Sequence, residues 1–122
     1  MSEPVFAHGK ICYIQMPSRN VQESADFFRT VFGWNVRNRG DGEVAFDDAT
    51  GYVSGMWDPA RAAVDDPGMI ISIMVDDAVA TSAAIKAAGG KIVDTVDPAA
   101  REVHGTFRDP SGNLLSIYQH RG

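Results

Sequence analysis

Cysteine is nearly absent from the sequence: Cys12 is the single one among 122 residues, so no disulfide can form within the chain. Its apolar neighbours predict that Cys12 fills the core of a buried strand. Long hydrophobic runs are also missing, since no stretch approaches the roughly 18 apolar residues of a membrane-spanning helix. Residues Met1 to Gly9 lack the charged start and apolar segment of a secretion signal. We therefore expect a cytoplasmic protein that has no membrane partner.

Positive charge is scarce as well, because 11 Lys and Arg residues stand against 16 Asp and Glu residues and give a net charge of -5. Nucleic acids and anionic lipids require concentrated Lys and Arg, and the sequence shows no basic stripe, so we expect no nucleic-acid partner. A Gly-x-Ser-x-Gly nucleophile elbow is absent. Gly40-Asp41-Gly42 is typical of a hairpin turn and lacks the spacing of a phosphate-binding loop.

One pattern occurs twice along the chain. An apolar strand is predicted at Lys10 to Met16 and again at Met69 to Val75. Each strand is followed by a helix that begins after a capping residue, Asn20 or Asp77, and ends at glycine. Five matched pairs differ by 57 positions: Asn20 and Asp77, Val21 and Ala78, Ala25 and Ser82, Phe28 and Ile85, and Gly33 and Gly90.

The repeat continues after each helix with a larger offset. Residues Phe46 to Gly51 match Phe107 to Gly112 at an offset of 61, and both segments are typical of a hairpin turn that starts with Asp and ends with Gly. Each half is therefore predicted to contain one strand, one helix and three further strands, in that order. The predicted fold is α+β: two βαβββ modules, about 8–57 and about 69–120, joined by a linker at about 58–68 in one domain. We expect a curved mixed sheet around a cavity, with the helices outside.

Three segments give the sequence its resemblance to a known family: GKICYIQMPSRNVQESADFFRTVFGW, IMVDDAVATSAAIKAAGGKIV and FRDPSGNLLSIYQ. In these segments, and in their order, the chain resembles the vicinal oxygen chelate superfamily. That superfamily includes glyoxalase I, extradiol dioxygenases and bleomycin resistance proteins, so the resemblance implies the fold and leaves the reaction open. Family members commonly form dimers, and the edges of two sheets give a physical reason to expect a homodimer here.

The resemblance also implies four metal-ligand positions, which fall on Tyr13, Gly55, Ile70 and Ser116. A divalent ion requires about three or more His, carboxylate or amide donors. Glycine and isoleucine offer none, and protonated tyrosine and serine are poor ligands. We therefore predict no conventional metal centre and no cofactor.

Side chains alternate across a strand, so the residues that share the face of Tyr13 can be predicted. The wall of the cavity is expected to be mostly apolar and aromatic, which suits a hydrophobic or aromatic small molecule. Its predicted ligand-binding residues are Tyr13, Gln15, Val53, Gly55, Trp57, Ile70, Ser72, Met74, Leu114, Ser116 and Tyr118. The alternative is that Trp57 and Tyr118, which the repeat places at equivalent positions, fill a solid core.

The main functional hypothesis is a metal-free protein that binds a small molecule, as bleomycin resistance proteins do. One alternative is a metal-independent isomerase or lyase that uses Tyr13, Gln15 or His104 for proton transfer. Another is a divergent metal-dependent enzyme of the glyoxalase or dioxygenase type with shifted ligands. His104 could pair with Glu102 on one strand face, although a solvent-facing pair on a loop or strand edge is the preferred interpretation. The sequence leaves open whether the chain is an enzyme.

Overall fold

A computed structural model describes residues 6–120 of the chain. The chain divides between Ala62 and Ala63 into two compact units, each with one strand, one helix and three further strands. The predicted α+β class and the two βαβββ modules are confirmed. Within the described residues, none of the helices is both long enough and apolar enough to cross a bilayer. The prediction about a secretion signal falls partly on residues 1–5, which lie outside this range.

The first unit contains a four-stranded mixed sheet and one helix. Its elements are β1 Tyr13–Pro17, α1 Val21–Phe32, β2 Asn35–Asn38, β3 Val44–Asp47 and β4 Ser54–Asp58. The strand order is β1-β4-β3-β2, with β1 parallel to β4 and the other neighbours antiparallel. The helix therefore connects an edge strand to the opposite edge of the same sheet.

The second unit repeats this arrangement. Its elements are β5 Ser72–Val75, α2 Ala78–Ala87, β6 Lys91–Asp94, β7 Val103–Arg108 and β8 Leu114–Gln119. The strand order β5-β8-β7-β6 is the same as in the first unit, again with one parallel pair. The internal repeat in the sequence thus corresponds to a repeat in topology.

Both helices begin where the capping residues predict. The Asn20 side chain accepts a hydrogen bond from the backbone N–H of Glu23 at 3.0 Å, and Asp77 accepts one from Ala80 at 3.0 Å. These bonds satisfy donors that have no partner inside the helix. Helix α1 ends at Gly33, whose φ of 71° is in the left-handed region that glycine adopts without strain.

Each helix packs on one face of its own sheet, but the two cores differ in composition. In the first unit an aromatic cluster occupies this position, and its members are Phe27, Phe28, Phe32, Trp34, Phe46 and Trp57. The second unit has a mainly aliphatic core of Ile85, Val103, Phe107, Leu115 and Ile117. We call the sheet face opposite the helix the distal face of each unit.

Two predicted strands begin later than expected. Strand β1 begins at Tyr13, where its pairing with Ser54 of β4 begins, and not at Lys10. Cys12 therefore precedes the strand and is exposed, so the prediction of a buried core filler is wrong. Strand β5 likewise begins at Ser72 and not at Met69, because its paired register with β8 begins there.

Candidate functional site

The distal face of the first unit is polar. Residues directly opposite each other on paired strands point to the same face, and the register pairs Tyr13 with Ser54, Gln15 with Met56 and Asp47 with Ser54. The Gln15 amide nitrogen lies 3.9 Å from the Met56 sulfur. The distal face of this unit carries Tyr13, Gln15, Asn35, Arg37, Ala45, Asp47, Ser54 and Met56.

Two predicted ligand-binding residues of β4 lie on the other face. Trp57 is fully buried, and its ring centroid lies 6.0 Å from that of Phe28 on α1. Gly55 is also on this side, because a Cβ added to it would collide with the ring of Phe46. Their predicted position on the face of Tyr13 is therefore wrong, and Trp57 belongs to the core, as the alternative interpretation held. Val53 lies in the turn before β4.

The length of one turn explains this error. Gly51 donates to the Asp48 carbonyl and Gly112 to the Asp109 carbonyl, both at 2.9 Å, so the two turns begin alike. In the first turn the Asp48 N–H donates to the carbonyl of Val53, which lies two residues after Gly51. In the second turn the Asp109 N–H donates to the carbonyl of Asn113, which lies one residue after Gly112. Tyr52 is the additional residue.

Because of this residue, β4 matches β8 at an offset of 60 and not 61. Ser54 and Met56 are thus the equivalents of Leu114 and Ser116. A shift of one residue moves every side chain of a strand to the opposite face. The sequence contained this signal, since an alignment that allowed one inserted residue after Gly51 would have assigned β4 correctly.

The distal face of the second unit contains the predicted residues of β5 and β8. Met74, Tyr118 and His104 are directly opposed in one row across three strands, and Ser72, Ser116, Thr106 and Asp94 form the next row. The shared face of Ser72, Met74, Leu114, Ser116 and Tyr118 is therefore as predicted. Their contact with a ligand stays a prediction. Ile70 precedes β5 and is 47% exposed.

His104 is exposed and lies opposite Tyr118, at the end of the sheet where β7 begins. Glu102 precedes the strand, and the side chains of Glu102 and His104 make no hydrogen bond or ion pair with another described residue. The structure therefore does not form the acid-base pair considered from the sequence. Tyr118 instead has its hydroxyl oxygen 3.4 Å from Nδ1 of His120.

A carboxylate network on the first distal face was not found from the sequence. Asp47 accepts hydrogen bonds from Arg37 Nε at 3.0 Å, Arg37 Nη2 at 3.1 Å, Ser54 at 2.7 Å and Asn35 at 3.1 Å. Burial alone raises the pKa of Asp47, but the hydrogen bonds from Ser54, Asn35 and Arg37 and the Arg37 charge outweigh it and lower this pKa. The network is a neutralised ion pair and its carboxylate is an acceptor, not a general acid at neutral pH.

The residues at the four implied ligand positions do not fit a divalent metal centre. With β4 assigned correctly these positions hold Tyr13, Met56, Ile70 and Ser116, which offer two protonated hydroxyls, a thioether and an alkyl group. Hard and borderline divalent ions prefer carboxylate, imidazole or amide donors. Among residues 6–120, no group of three or more His, Cys, Asp or Glu residues is arranged to hold a metal ion.

Comparison with known proteins agrees with this architecture. The family profile described as Glyoxalase/Bleomycin resistance protein/Dioxygenase superfamily matches residues 10–117 of the chain. A comparison with curated proteins gives no match.

Three solved structures illustrate the shared fold. Hypothetical protein SA1046 from S. aureus is 13% identical, with a TM-score of 0.75 over 94% of this chain and 96% of that chain. A glyoxalase/bleomycin resistance protein/dioxygenase family enzyme from Burkholderia phytofirmans PsJN is 14% identical, with a TM-score of 0.72 over 91% and 98%. A glyoxalase-related enzyme from Fulvimarina pelagi is 22% identical, with a TM-score of 0.66 over 92% and 88%. At these identities the likeness concerns the fold alone.

Proposed function

The chain belongs to the glyoxalase/bleomycin resistance protein/dioxygenase superfamily, and from this premise we propose that it binds a small aromatic molecule without a conventional metal centre. The binding surface proposed is the distal face of the second unit. The observation that carries the proposal is the row of Met74, Tyr118 and His104, which presents a thioether, a phenol and an imidazole side by side.

The exposure of this row supports a binding role. Met74 is 70% exposed although it lies within a strand. Neighbouring apolar residues on one exposed face are typical of surfaces that bind ligands or partners. Methionine adapts its shape to flat rings, and tyrosine adds a large contact area together with one hydrogen-bonding group. An aromatic ring of a ligand is therefore suited to this row.

The next row supplies groups that can orient such a ligand. Ser72, Ser116 and Thr106 are directly opposed on β5, β8 and β7; Ser72 is exposed, Ser116 is buried, and the Thr106 hydroxyl donates to Asp94. Small-molecule sites typically combine an apolar surface with a few placed polar groups, and the polar groups decide orientation. Carbonyl, hydroxyl or amide groups of a ligand are the matching chemistry.

A direct test uses N-phenyl-1-naphthylamine, a neutral aromatic probe whose fluorescence rises when it enters an apolar site. We expect saturable binding, and chemical-shift changes in an amide spectrum centred on Met74, Ser116 and Tyr118. Replacing Tyr118 with Ala removes one ring contact worth about 1 kcal/mol, so the dissociation constant should rise about fivefold. Tyr52→Ala, in the β3–β4 turn of the first unit, is the matched control and should leave binding unchanged.

Two results would contradict this proposal: no saturable binding of the probe, or chemical-shift changes confined to residues outside the second distal face.

Intrinsic fluorescence is a poor reporter of the binding event, because Trp34 and Trp57 lie in the aromatic cluster on the helix side of the first sheet. Any small molecule found to bind is then recovered and analysed: a binding protein returns it unchanged, whereas an isomerase or lyase converts it. Light scattering on the same samples tests the predicted homodimer.

A further inference from the structure

A pair of basic residues lies at one end of the second distal face. Lys91 of β6 is directly opposite Arg108 of β7, so both side chains leave the sheet on the same side. Arg108 is two residues from Thr106 along β7 and therefore shares its face. Like charges directly opposed on neighbouring strands destabilise a sheet. The pair thus calls for a neutralising group.

The described residues provide no such group. Arg29, Arg37 and Arg61 each form an ion pair with an aspartate. Arg108 instead donates to two backbone carbonyls, Nη1 to that of Gly112 at 3.0 Å and Nη2 to that of Asp65 at 2.7 Å. These carbonyls carry no formal charge, so they orient the guanidinium without neutralising it.

The Lys91 side chain is exposed and makes no hydrogen bond or ion pair with any residue in the range 6–120. Asp65, whose backbone carbonyl accepts a hydrogen bond from Arg108, forms no ion pair with it, and neither Asp94 nor Glu102 forms one with Lys91 or Arg108. Asp94 accepts a hydrogen bond from the Thr106 hydroxyl at 2.5 Å, one row away from the basic pair. Glu102 precedes β7 at the opposite end of the strand. Lys91 and Arg108 are therefore two cations without an ion-pair partner among residues 6–120.

From this arrangement we propose that the ligand of the second distal face carries an acidic group, a carboxylate, sulfonate or phosphate, which binds at Lys91 and Arg108. The inference rests on the proposed function and specifies its ligand class. Arg108 lies four positions beyond His104 of the aromatic row along β7, which corresponds to about 13 Å of strand. The long, exposed Lys91 side chain can extend along this span while the Arg108 guanidinium stays held, so a two- or three-ring aromatic acid can reach both ends.

The hydroxyl row lies between these two ends and completes the predicted binding mode. Aromatic rings contact Met74 and Tyr118, polar ring substituents meet Ser72 and Ser116, and the acidic group binds the basic pair. Because the guanidinium is already held by two carbonyls, little ordering is required when the anion binds. A neutral molecule of the same shape lacks the last contact and should bind more weakly.

Two naphthalene probes test this inference on the intact chain. 8-Anilinonaphthalene-1-sulfonate and N-phenyl-1-naphthylamine share one aromatic skeleton, and only the first carries an anionic group. We expect the sulfonate to bind more tightly, with an affinity that falls as salt increases. Lys91→Glu should weaken sulfonate binding about five- to tenfold, as expected for reversing one partly solvated charge, and leave the neutral probe within about twofold.

Lys86→Glu is the matched control, since it makes the same change in net charge on α2 and not on the distal face. It should alter sulfonate binding by less than about twofold. In the absence of probe, Lys91→Glu should raise the urea midpoint slightly, because it converts a like-charge pair into an ion pair with Arg108.

The outcomes separate the two proposals. Failure of the neutral probe to bind contradicts the proposed function itself. Binding of both probes with equal affinity, or equal weakening by Lys86→Glu and Lys91→Glu, leaves the binding face in place and overturns the assignment of the basic pair.

Discussion

The two units have the same topology, but their cores are built from different residues. In the first unit, Phe28 of α1 stacks on Trp34 with ring centroids 4.6 Å apart and lies within a cluster of six aromatic rings. At the equivalent position of α2 stands Ile85, buried among aliphatic side chains. The comparison teaches that this topology depends on the order of polar and apolar positions and on the helix caps, while the identity of the apolar core residues can vary.

The distal faces differ more than the cores. Asp47 is neutralised by Arg37 on the first face, whereas Arg108, the residue that the repeat matches to Asp47, stands beside Lys91 without a carboxylate partner. The covered side of each sheet is constrained by packing against a helix. The distal side is free of that constraint, and there an Arg37–Asp47 ion pair in the first unit is replaced by Lys91 opposite Arg108 in the second.

The largest expected loss of stability comes from truncating one core side chain in each unit, at equivalent positions of α1 and α2. Phe28→Ala should lower the free energy of unfolding by about 3–5 kcal/mol, because it deletes a ring that contacts four others. Ile85→Ala should cost about 2–4 kcal/mol, since a smaller side chain is lost. Urea unfolding followed by circular dichroism measures both values.

Val79→Ala on the exposed side of α2 is the control and should change stability by less than about 0.5 kcal/mol. A smaller loss for Phe28→Ala than for Ile85→Ala would show that the aromatic cluster is loosely packed. Fluorescence adds a second readout, because both tryptophans of the chain lie in the first unit. If the units unfold separately, the fluorescence and dichroism transitions will not coincide.

A second prediction concerns Gly55, whose equivalent in β8 is the buried residue Leu115. The Phe46 ring and the Ile14 carbonyl occupy the space that a Cβ would need. Gly55→Ala should therefore cost about 1–3 kcal/mol through overpacking, as measured by thermal or urea unfolding. Gly68→Ala is the control, because nothing lies within 4 Å of its added Cβ. Equal stability of the two variants would contradict the close approach of Phe46.

The smallest expected effects are two pH dependences of opposite sign. The pKa of Asp47 is lowered from 3.8, so its stabilisation is present above about pH 4 and is lost as the pH falls through the lower folded value. Asp47→Asn should thus reduce stability by about 1 kcal/mol at pH 7, with a smaller deficit at pH 3. Urea midpoints at several pH values measure this trend.

Asp109 behaves in the opposite way, because burial raises its pKa above 3.8 despite hydrogen bonds from Asn113, Ser111 and Gly112. The ionised form then carries a cost that is present at neutral pH and disappears as the pH falls below the ordinary value. Asp109→Asn should become more favourable relative to wild type as the pH rises from 3 to 7. Asp48→Asn, in the equivalent half-buried turn, is the control. If the stability change on substitution depended on pH in the same way for Asp47→Asn and Asp109→Asn, the opposite pKa shifts would be contradicted.

Much of the fold could be predicted from the sequence, because its signals are local. Asn20 and Asp77 cap the helices through their own side chains, and Gly33 adopts a backbone angle that few other residues tolerate. The common offset of 57 then identified the repeat without any knowledge of long-range contacts. The predicted face of β8 was correct for the same reason, since simple alternation applies within one strand.

The rest depends on pairing between strands, which the sequence does not display. The exposure of Cys12 follows from where β4 begins, and the network around Asp47 requires β2, β3 and β4 to be placed in register. The partnership of Lys91 and Arg108 likewise emerges from the register of β6 with β7. Site residues on neighbouring strands are therefore less predictable than the strands themselves.

The additional residue in the β3–β4 turn has a consequence for redesign and for divergence in folds of this kind. If Tyr52 were deleted and β4 stayed paired with β3 through the second unit's shorter turn geometry, every residue of β4 would move by one position in the register. Trp57 would then leave the core and Met56 would enter it. Insertions in surface loops are usually well tolerated. Here, one residue in a half-buried hairpin turn decides which side chains of a whole strand face the core.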